Sequence, residues 1–309
     1  PLVALLLAVC LGTPAYSQSL SSLSGSVVDP SGAAVPGAEI SIINTDNNAK
    51  RDTVSDAAGK YSIPGVPPGT YRLTAKKAGF AEISVQQVRL LVNTPSTVNL
   101  TFETVGSVAQ TIEISAEGVT LNTVDATVGN SFGTKPITQL PFEGRRADRI
   151  LSIQPGISYI GDSDTVNGGS NTATDRGGVV NGGRSDQSNI TLDGVDINNQ
   201  QTREPFRGAL RVTLDSVQEF RVTTSNANAD SSRGSGAQIT MITRSGTNEL
   251  HGAGYWFVRN RIFNSNTFFN NLTTNAQGQG LPTPKLNRNI FGARLGGPVI
   301  KNKLFYFAN

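Results

Sequence analysis

Between Ser24 and Glu103 the chain breaks about every ten residues, and each break carries a turn signal. The runs between the breaks are GSVVD, AEISIIN, RDTVSD, KYSIPG, TYRLTAKKAGF, AEISVQQVRLLV and STVNLTF. The breaks include Asp29-Pro30-Ser31-Gly32, Asp56-Ala57-Ala58-Gly59 and Pro67-Pro68-Gly69, residues that supply fixed or positive φ. Within Tyr71-Arg72-Leu73-Thr74-Ala75-Lys76 the alternation turns Tyr71, Leu73 and Ala75 inward and the charged residues outward. Short strands with such punctuation predict a small β-sandwich over 18–103. Gly 33 and Pro 15 among 309 residues, with long amphipathic helices scarce, extend a mainly β expectation to the rest.

Two stretches inside this region, GSVVDPSGAAVPGAEISI and DAAGKYSIPGVPPGTYRLTAKKAGF, resemble the carboxypeptidase regulatory-like domain. The resemblance implies a transthyretin-like β-sandwich and no catalysis. The zinc peptidase that such a domain can accompany needs two His ligands, and this chain has His 1. That residue, His251, lies in the strand-like run ELHGAGYWFV and reads as an ordinary strand histidine.

The N-terminal PLVALLLAVCLGTPAYSQ is apolar from Leu2 to Leu11 and carries Ala15-Tyr16-Ser17 before Gln18, the form of a secretory signal remnant over 1–17. Its apolar run is too short to span a bilayer as a helix. Cys10 is the chain's sole cysteine, so the mature chain offers neither a disulfide nor a thiol nucleophile. Val9 before it is not the small residue that lipidation requires. A formal charge of +3, without a basic run interleaved with aromatics, gives no support to a nucleic-acid partner. The pair Arg145-Arg146 reads as a solvated helix start.

Residues 104–133 read as a polar linker around one extended segment, Gln110, Thr111, Ile112, Glu113, Ile114, Ser115 and Ala116. A helix is predicted within 134–156, where Ala147, Ile150 and Leu151 stand at i, i+3 and i+4 and Pro155-Gly156 form a stop. A loop-rich stretch follows from Gly161 to Gly178, then strands NITLD, VDIN, VQEFRVTT and AQITMITRSG, which makes 134–246 a small α+β unit.

Asp186, Asp193 and Asp196 fall together in NGGRSDQSNITLDGVDIN, but their spacing fails the EF-hand order. Asp193-Gly194, set between ITL and VDI, is a strong two-residue hairpin signal, and a structural turn is the preferred reading over an ion site. No cofactor, no metal site and no catalytic residue is selected by the pattern, and no carboxylate pair stands out for enzyme chemistry.

From Asn248 the texture changes again. HGAGYWFVRN and NIFGARLGG interleave aromatic and glycine positions, with Phe291, Ala293 and Leu295 on one face and Gly292, Arg294 and Gly296 on the other. Apolar-out, polar-in alternation over about ten residues suits a transmembrane β-barrel strand, and equally a soluble half-buried strand. Residues 260–288 form a long polar loop and Gly296 to Lys303 a short turn, after which LFYFAN begins a third strand. Three strands cannot stand open in lipid, so the chain reads as a fragment.

LPFEGRRADRILSIQPGI, NGGRSDQSNITLDGVDIN and MITRSGTNELHGAGYWFVRN with NIFGARLGGPVIKNKLFYF are together similar to the plug and early barrel of TonB-dependent outer-membrane receptors of the Oar-like kind. That resemblance implies a plug domain over 134–246, filling a barrel of about 22 strands that begins at 247–309. It implies location in the outer membrane with the sandwich in the periplasm, contact with outer-membrane lipid, and active uptake of a substrate too large or scarce for porins. A metal chelate, cofactor, glycan or peptide would qualify. It also implies a TonB-type periplasmic partner, with residues 110–116 as the contacting segment adding as a strand to that partner's sheet edge. A surface or periplasmic interaction protein, binding glycan or protein through the sandwich, is the alternative.

Overall fold

The computed structural model describes residues 20–103, 112–115, 124–140, 145, 147–159, 178–183, 187–199, 210, 212–229, 234–266, 268–275 and 278–309. The signal-like residues 1–17, Cys10 among them, therefore lie outside the described residues, as does most of the loop-rich stretch 161–178.

The first unit is built from β1 (Ser21–Val28), β2 (Glu39–Asn44), β3 (Lys50–Val54), β4 (Lys60–Val66), β5 (Gly69–Lys76), β6 (Ile83–Leu90), β7 (Pro95–Thr97), β8 (Leu100–Thr101) and β9 (Ile112–Ser115). One sheet has the order β4-β1-β7 with β8 also on β1, and the other has the order β3-β2-β5-β6-β9. In β2, β4 and β5 alternate residues face the other sheet. Leu23, Val27, Tyr61, Ile63 and Leu100 from the first meet Ile40, Ile42, Leu73, Val85 and Val88 from the second in one core, closed by Phe102. Tyr61 and Tyr71 keep their hydroxyls satisfied by donating to Val98 O at 2.7 Å and Pro67 O at 2.8 Å. Gly25 admits this packing: a Cβ there would lie 1.9 Å from Val98 O.

Two of the sequence runs are trimmed. TYRLTAKKAGF pairs only to Lys76, because Lys77 to Phe80 form a turn closed by Phe80 N donating to Lys77 O at 3.1 Å, with Gly79 at φ 87. STVNLTF divides into β7 and β8, both parallel to β1.

The second unit contains β10 (Val128–Gly133), β11 (Ile157–Tyr159), β12 (Gly178–Val180), β13 (Asn189–Leu192), β14 (Val195–Asp196), β15 (Val217–Ser225) and β16 (Gln238–Thr243). Its main sheet runs β10-β15-β16-β13-β14, antiparallel except for the parallel pair β13–β16, while β11 and β12 pair separately. Residues 128–133, read above as linker, are thus an edge strand; none of them is fully buried, and pairing with β15 and the packing of Phe132 on the second core hold them.

The helix expected within 134–156 is also corrected. Thr134–Gln139 is a short α-helix and Ala147–Ile153 a 3-10 helix. Pro141 explains the break, since the residue before a proline is pushed out of the helical region and Leu140 sits at φ −67, ψ 136. The apolar positions still do their work: Ile137, Ala147, Ile150 and Leu151 pack with Leu214, Phe220, Val222, Ile239 and Met241 in a second core.

The C-terminal unit is one antiparallel sheet, β17 (His251–Asn260), β18 (Asn287–Ile300) and β19 (Leu304–Ala308), in that order. Among the described residues of its long β17–β18 connection are a 3-10 turn, Arg261–Phe263, and a short helix, Phe268–Leu272. Among the described residues no helix is long and apolar enough to cross a membrane, which leaves crossing by strands open.

Candidate functional site: a tight turn, an edge segment and two buried ionic contacts

Asp193 and Gly194 form the two-residue turn between β13 and β14, with φ 51 and φ 84. Two consecutive positive φ values are the mirror-image turn that matches strand twist, and Asp and Gly tolerate them. The Asp193 carboxylate is occupied by the neighbouring strand: it accepts from Thr243 N at 2.8 Å and from Thr243 Oγ1 at 2.7 Å. The same residue's N–H donates to Met241 O at 2.9 Å, so one aspartate pins the turn to the end of β16.

Asp196 accepts from Asn198 N at 2.8 Å and from Asn198 Nδ2 at 2.7 Å, a local Asx-type turn. Asp186 lies outside the described residues. His251 begins β17 at the surface with its Nε2 3.5 Å from Glu249. Among the described residues no three His, Cys, Asp or Glu side chains gather as metal ligands.

Of the segment 110–116, residues 112–115 are β9; Gln110, Thr111 and Ala116 lie outside the described residues. The register is parallel to β6, with Ile83 opposite Ile112, Ser84 opposite Glu113, Val85 opposite Ile114 and Gln86 opposite Ser115. β9 is the last strand in its sheet.

Charged groups of the central unit are buried against the sandwich. Glu219 and Arg221 on β15 are each 5% exposed. The Glu219 carboxylate accepts from Val92 N of the first unit at 3.1 Å, and Arg221 donates to the Thr94 hydroxyl. Asn93 Nδ2 reaches Thr240 Oγ1 at 3.4 Å beside them. Arg89 crosses the same seam, its guanidinium lying where a Cβ on Gly133 would stand. Burial raises the Glu219 carboxyl above its ordinary range, against the opposing pull of the Val92 N–H, Arg89 and Arg221. Burial likewise lowers Arg221, and the Glu219 charge opposes that shift.

A second seam joins the central unit to the C-terminal sheet. Asp215, 8% exposed, is 3.2 Å from Arg145 and 3.5 Å from Arg294 of β18. The Arg145 guanidinium also stacks on the Phe257 ring of β17, 3.9 Å from its centroid. Arg145 is thus no solvated helix start; it is clamped between a carboxylate and an aromatic ring. Asn309 Nδ2 donates to Thr213 Oγ1 at 2.8 Å on the same seam. Sequence reading passed over Asp215, Glu219 and Arg221, and placed Arg294 on the polar face of its strand without naming its partner. The one local signal is that Glu219 and Arg221 alternate with Val217, Phe220 and Val222, the apolar residues of the same strand.

The faces of the C-terminal sheet differ in kind. Toward the seam lie Phe257, Arg294 and Tyr255, whose ring covers Gly292. On the opposite face Trp256 and its register partner Phe291 are 70% and 79% exposed, with Val258 and Leu295 alongside. An apolar face left open on a paired sheet is the mark of a surface that meets protein or membrane.

Two family matches divide the chain in the same order: a carboxypeptidase regulatory-like domain over residues 22–103 and an outer membrane β-barrel domain over 242–309. The TonB-dependent transporter Oar of Myxococcus xanthus is 29% identical over 318 residues, covering 96% of this chain and 27% of Oar. Halomucin of Haloquadratum walsbyi is 24% identical over 212 residues, 66% of this chain and 2% of its own length. The chain therefore spans about a quarter or less of these relatives. Among solved structures, the siderophore receptor PirA from Acinetobacter baumannii is 21% identical with a TM-score of 0.41, over 58% of this chain and 23% of that one, a likeness too low to carry an argument. Over nearly its whole length the chain is homologous to the TonB-dependent transporter Oar, with a carboxypeptidase regulatory-like domain ahead of outer-membrane β-barrel sequence.

Proposed function

We propose that the chain serves in TonB-dependent uptake across the outer membrane, importing a large or scarce substrate such as a metal chelate, cofactor, glycan or peptide. The observation that carries this reading is the order of parts along one chain. A sandwich, an edge segment and a polar-seamed α+β unit precede strands whose exposed face is aromatic, and Oar, a transporter, aligns with nearly all of it.

Each part has a physical role in that scheme. The C-terminal sheet lies in the lipid with Trp256 and Phe291 outward. Residues 134–246 act as the plug, tied to the barrel wall through Asp215, Arg145 and Arg294. The sandwich stands in the periplasm. Since the outer membrane holds no ATP, the pull comes from a TonB-type protein that pairs with residues 110–116 by main-chain hydrogen bonds. Polar seams suit a plug that must move, because contacts between units that shift relative to one another are more polar than permanent ones.

The test is deletion of 110–116 in the full-length protein. Energised uptake is expected to vanish while insertion into the outer membrane persists; unchanged uptake would refute the assignment of this segment.

A further inference from the structure

The seam between the central unit and the C-terminal sheet carries more positive charge than it answers. Arg145, Arg244 and Arg294 gather around Asp215, the one carboxylate among the described residues that reaches them. We infer that Arg244 and Arg294 form a binding site for an oxyanion group, a carboxylate or a phosphate, and that the substrate carried past this seam is acidic. The inference rests on the transport reading above and adds the chemical class of the substrate.

Three observations support this site. First, the charges do not balance. Arg145 donates to Asp215 at 3.2 Å and stacks on Phe257, while Arg294 Nη1 stands 3.5 Å from the other oxygen without making a hydrogen bond. A buried cation left without an anion carries an uncompensated desolvation cost. Second, two donors are held in place and unused. Arg244 is fixed at its backbone, where N donates to Ser216 O at 2.9 Å, and at Nε, which donates to Val217 O at 3.2 Å. Its Nη2, like Nη1 of Arg294, is buried with no hydrogen-bond partner among the described residues. An oxyanion can accept from both guanidinium groups at once, and such charge-assisted bonds are about twice as strong as neutral ones. Third, the two guanidinium groups are close enough to repel. Burial, and then the Arg294 charge, lower Arg244 below its ordinary value, with Asp215 opposing them. An anion between the two turns one repulsion into two attractions. Arg244 directly follows β16 and Arg294 lies on β18, so the anion sits where the plug meets the wall.

The experiment is an anion titration of the full-length protein in lipid vesicles at constant ionic strength, with inorganic phosphate and citrate as the probes. Saturable binding of at least one is expected, and the tighter of the two tells phosphate from carboxylate chemistry. Arg244→Gln and Arg294→Gln should each weaken binding by about tenfold or more, while Arg72→Gln, on the exposed face of β5, should leave it unchanged. The unfolding midpoint without anion checks that each variant is folded; should Arg244→Gln fail to fold, Arg294→Gln decides. Energised uptake should fall with binding in the same variants. Three results would overturn the inference: neither probe binds, binding survives both substitutions as an adventitious ion only, or binding is lost while uptake stays at the wild-type rate. Deletion of 110–116 separates this site from the partner assignment. Uptake that persists on deletion while anion still binds removes the partner assignment alone, and uptake lost on deletion with no anion bound by the intact protein removes this inference alone.

Discussion

Strand β5 of the sandwich and strand β18 of the C-terminal sheet follow the same period of two, and their apolar faces end in opposite surroundings. In β5, Tyr71, Leu73 and Ala75 are buried against a second sheet. In β18, Phe291 and Leu295 look outward, while Arg294 on the other face reaches a buried aspartate. The difference teaches that alternation reports only that a strand has two unlike faces. What lies opposite decides which face is interior. Around β5 the chain supplies its own cover; around β18 it places polar protein on one side and leaves the aromatics exposed on the other.

The sharpest way to break this contrast is to damage the sandwich core. Phe102 is fully buried and its ring stands 5.2 Å from that of Phe80. Phe102→Ala should cost about 3–5 kcal/mol, read as a lower midpoint for sandwich unfolding in urea with the C-terminal sheet unaffected. A loss under about 1 kcal/mol would mean that the two sheets are not one cooperative core.

Next in size is the exposed aromatic face of the C-terminal sheet. Trp256→Lys should cost about 2–4 kcal/mol in lipid vesicles, the penalty for a cation on the outside of a membrane strand. The same change measured on a water-facing strand position would be nearly silent, so an unaltered stability in vesicles would reassign this sheet to a soluble unit. Its register partner Phe291 provides an independent repeat of the measurement.

The central turn is a smaller and more local lever. Asp193→Ala removes the acceptor of both Thr243 groups and should lower the stability of the central unit by about 1–3 kcal/mol. Asp193→Asn, which keeps one acceptor and tolerates the positive φ, should cost less. Calcium affinity lost together with stability would show that the turn reading is incomplete.

These outcomes bear on what was readable in advance. The strands of the sandwich and the Asp193-Gly194 turn are local features, set by alternation and by residues that accept unusual φ, and they stand in the sequence without reference to anything distant. The helix expected within 134–156 breaks before Pro141, a local cause that stands in the sequence itself. Other features have no local cause. The pairing of β9 with β6 joins residues about thirty apart in parallel, and nothing in QTIEISA distinguishes a free segment from an edge strand. Arg145, Asp215, Glu219 and Arg221 look like solvent-facing charges because their burial depends on a neighbouring unit arriving against them.

Glu219 gives the finest test, because it asks whether the sandwich and central unit are joined as tightly at every pH. Its carboxyl is raised by burial, so the folded state holds the proton more firmly than the unfolded chain does. Its contribution therefore favours the docked state at pH below the ordinary carboxylate range. That contribution is lost as pH climbs through the raised value, where a buried negative charge must be carried with Val92 N–H, the Ser131 hydroxyl, Arg89 and Arg221 to offset it. In Glu219→Gln the amide oxygen can still accept from Val92 N while the titration disappears. The variant should thus show a flatter stability profile between about pH 4 and pH 7, with a difference within about 1 kcal/mol at neutral pH. A wild-type profile that rises with pH over this interval, and stays unchanged in the variant, would mean that Glu219 is ionised and well paired, and that the seam between the two units is held by the same kind of ionic contact that joins Asp215 to the C-terminal sheet.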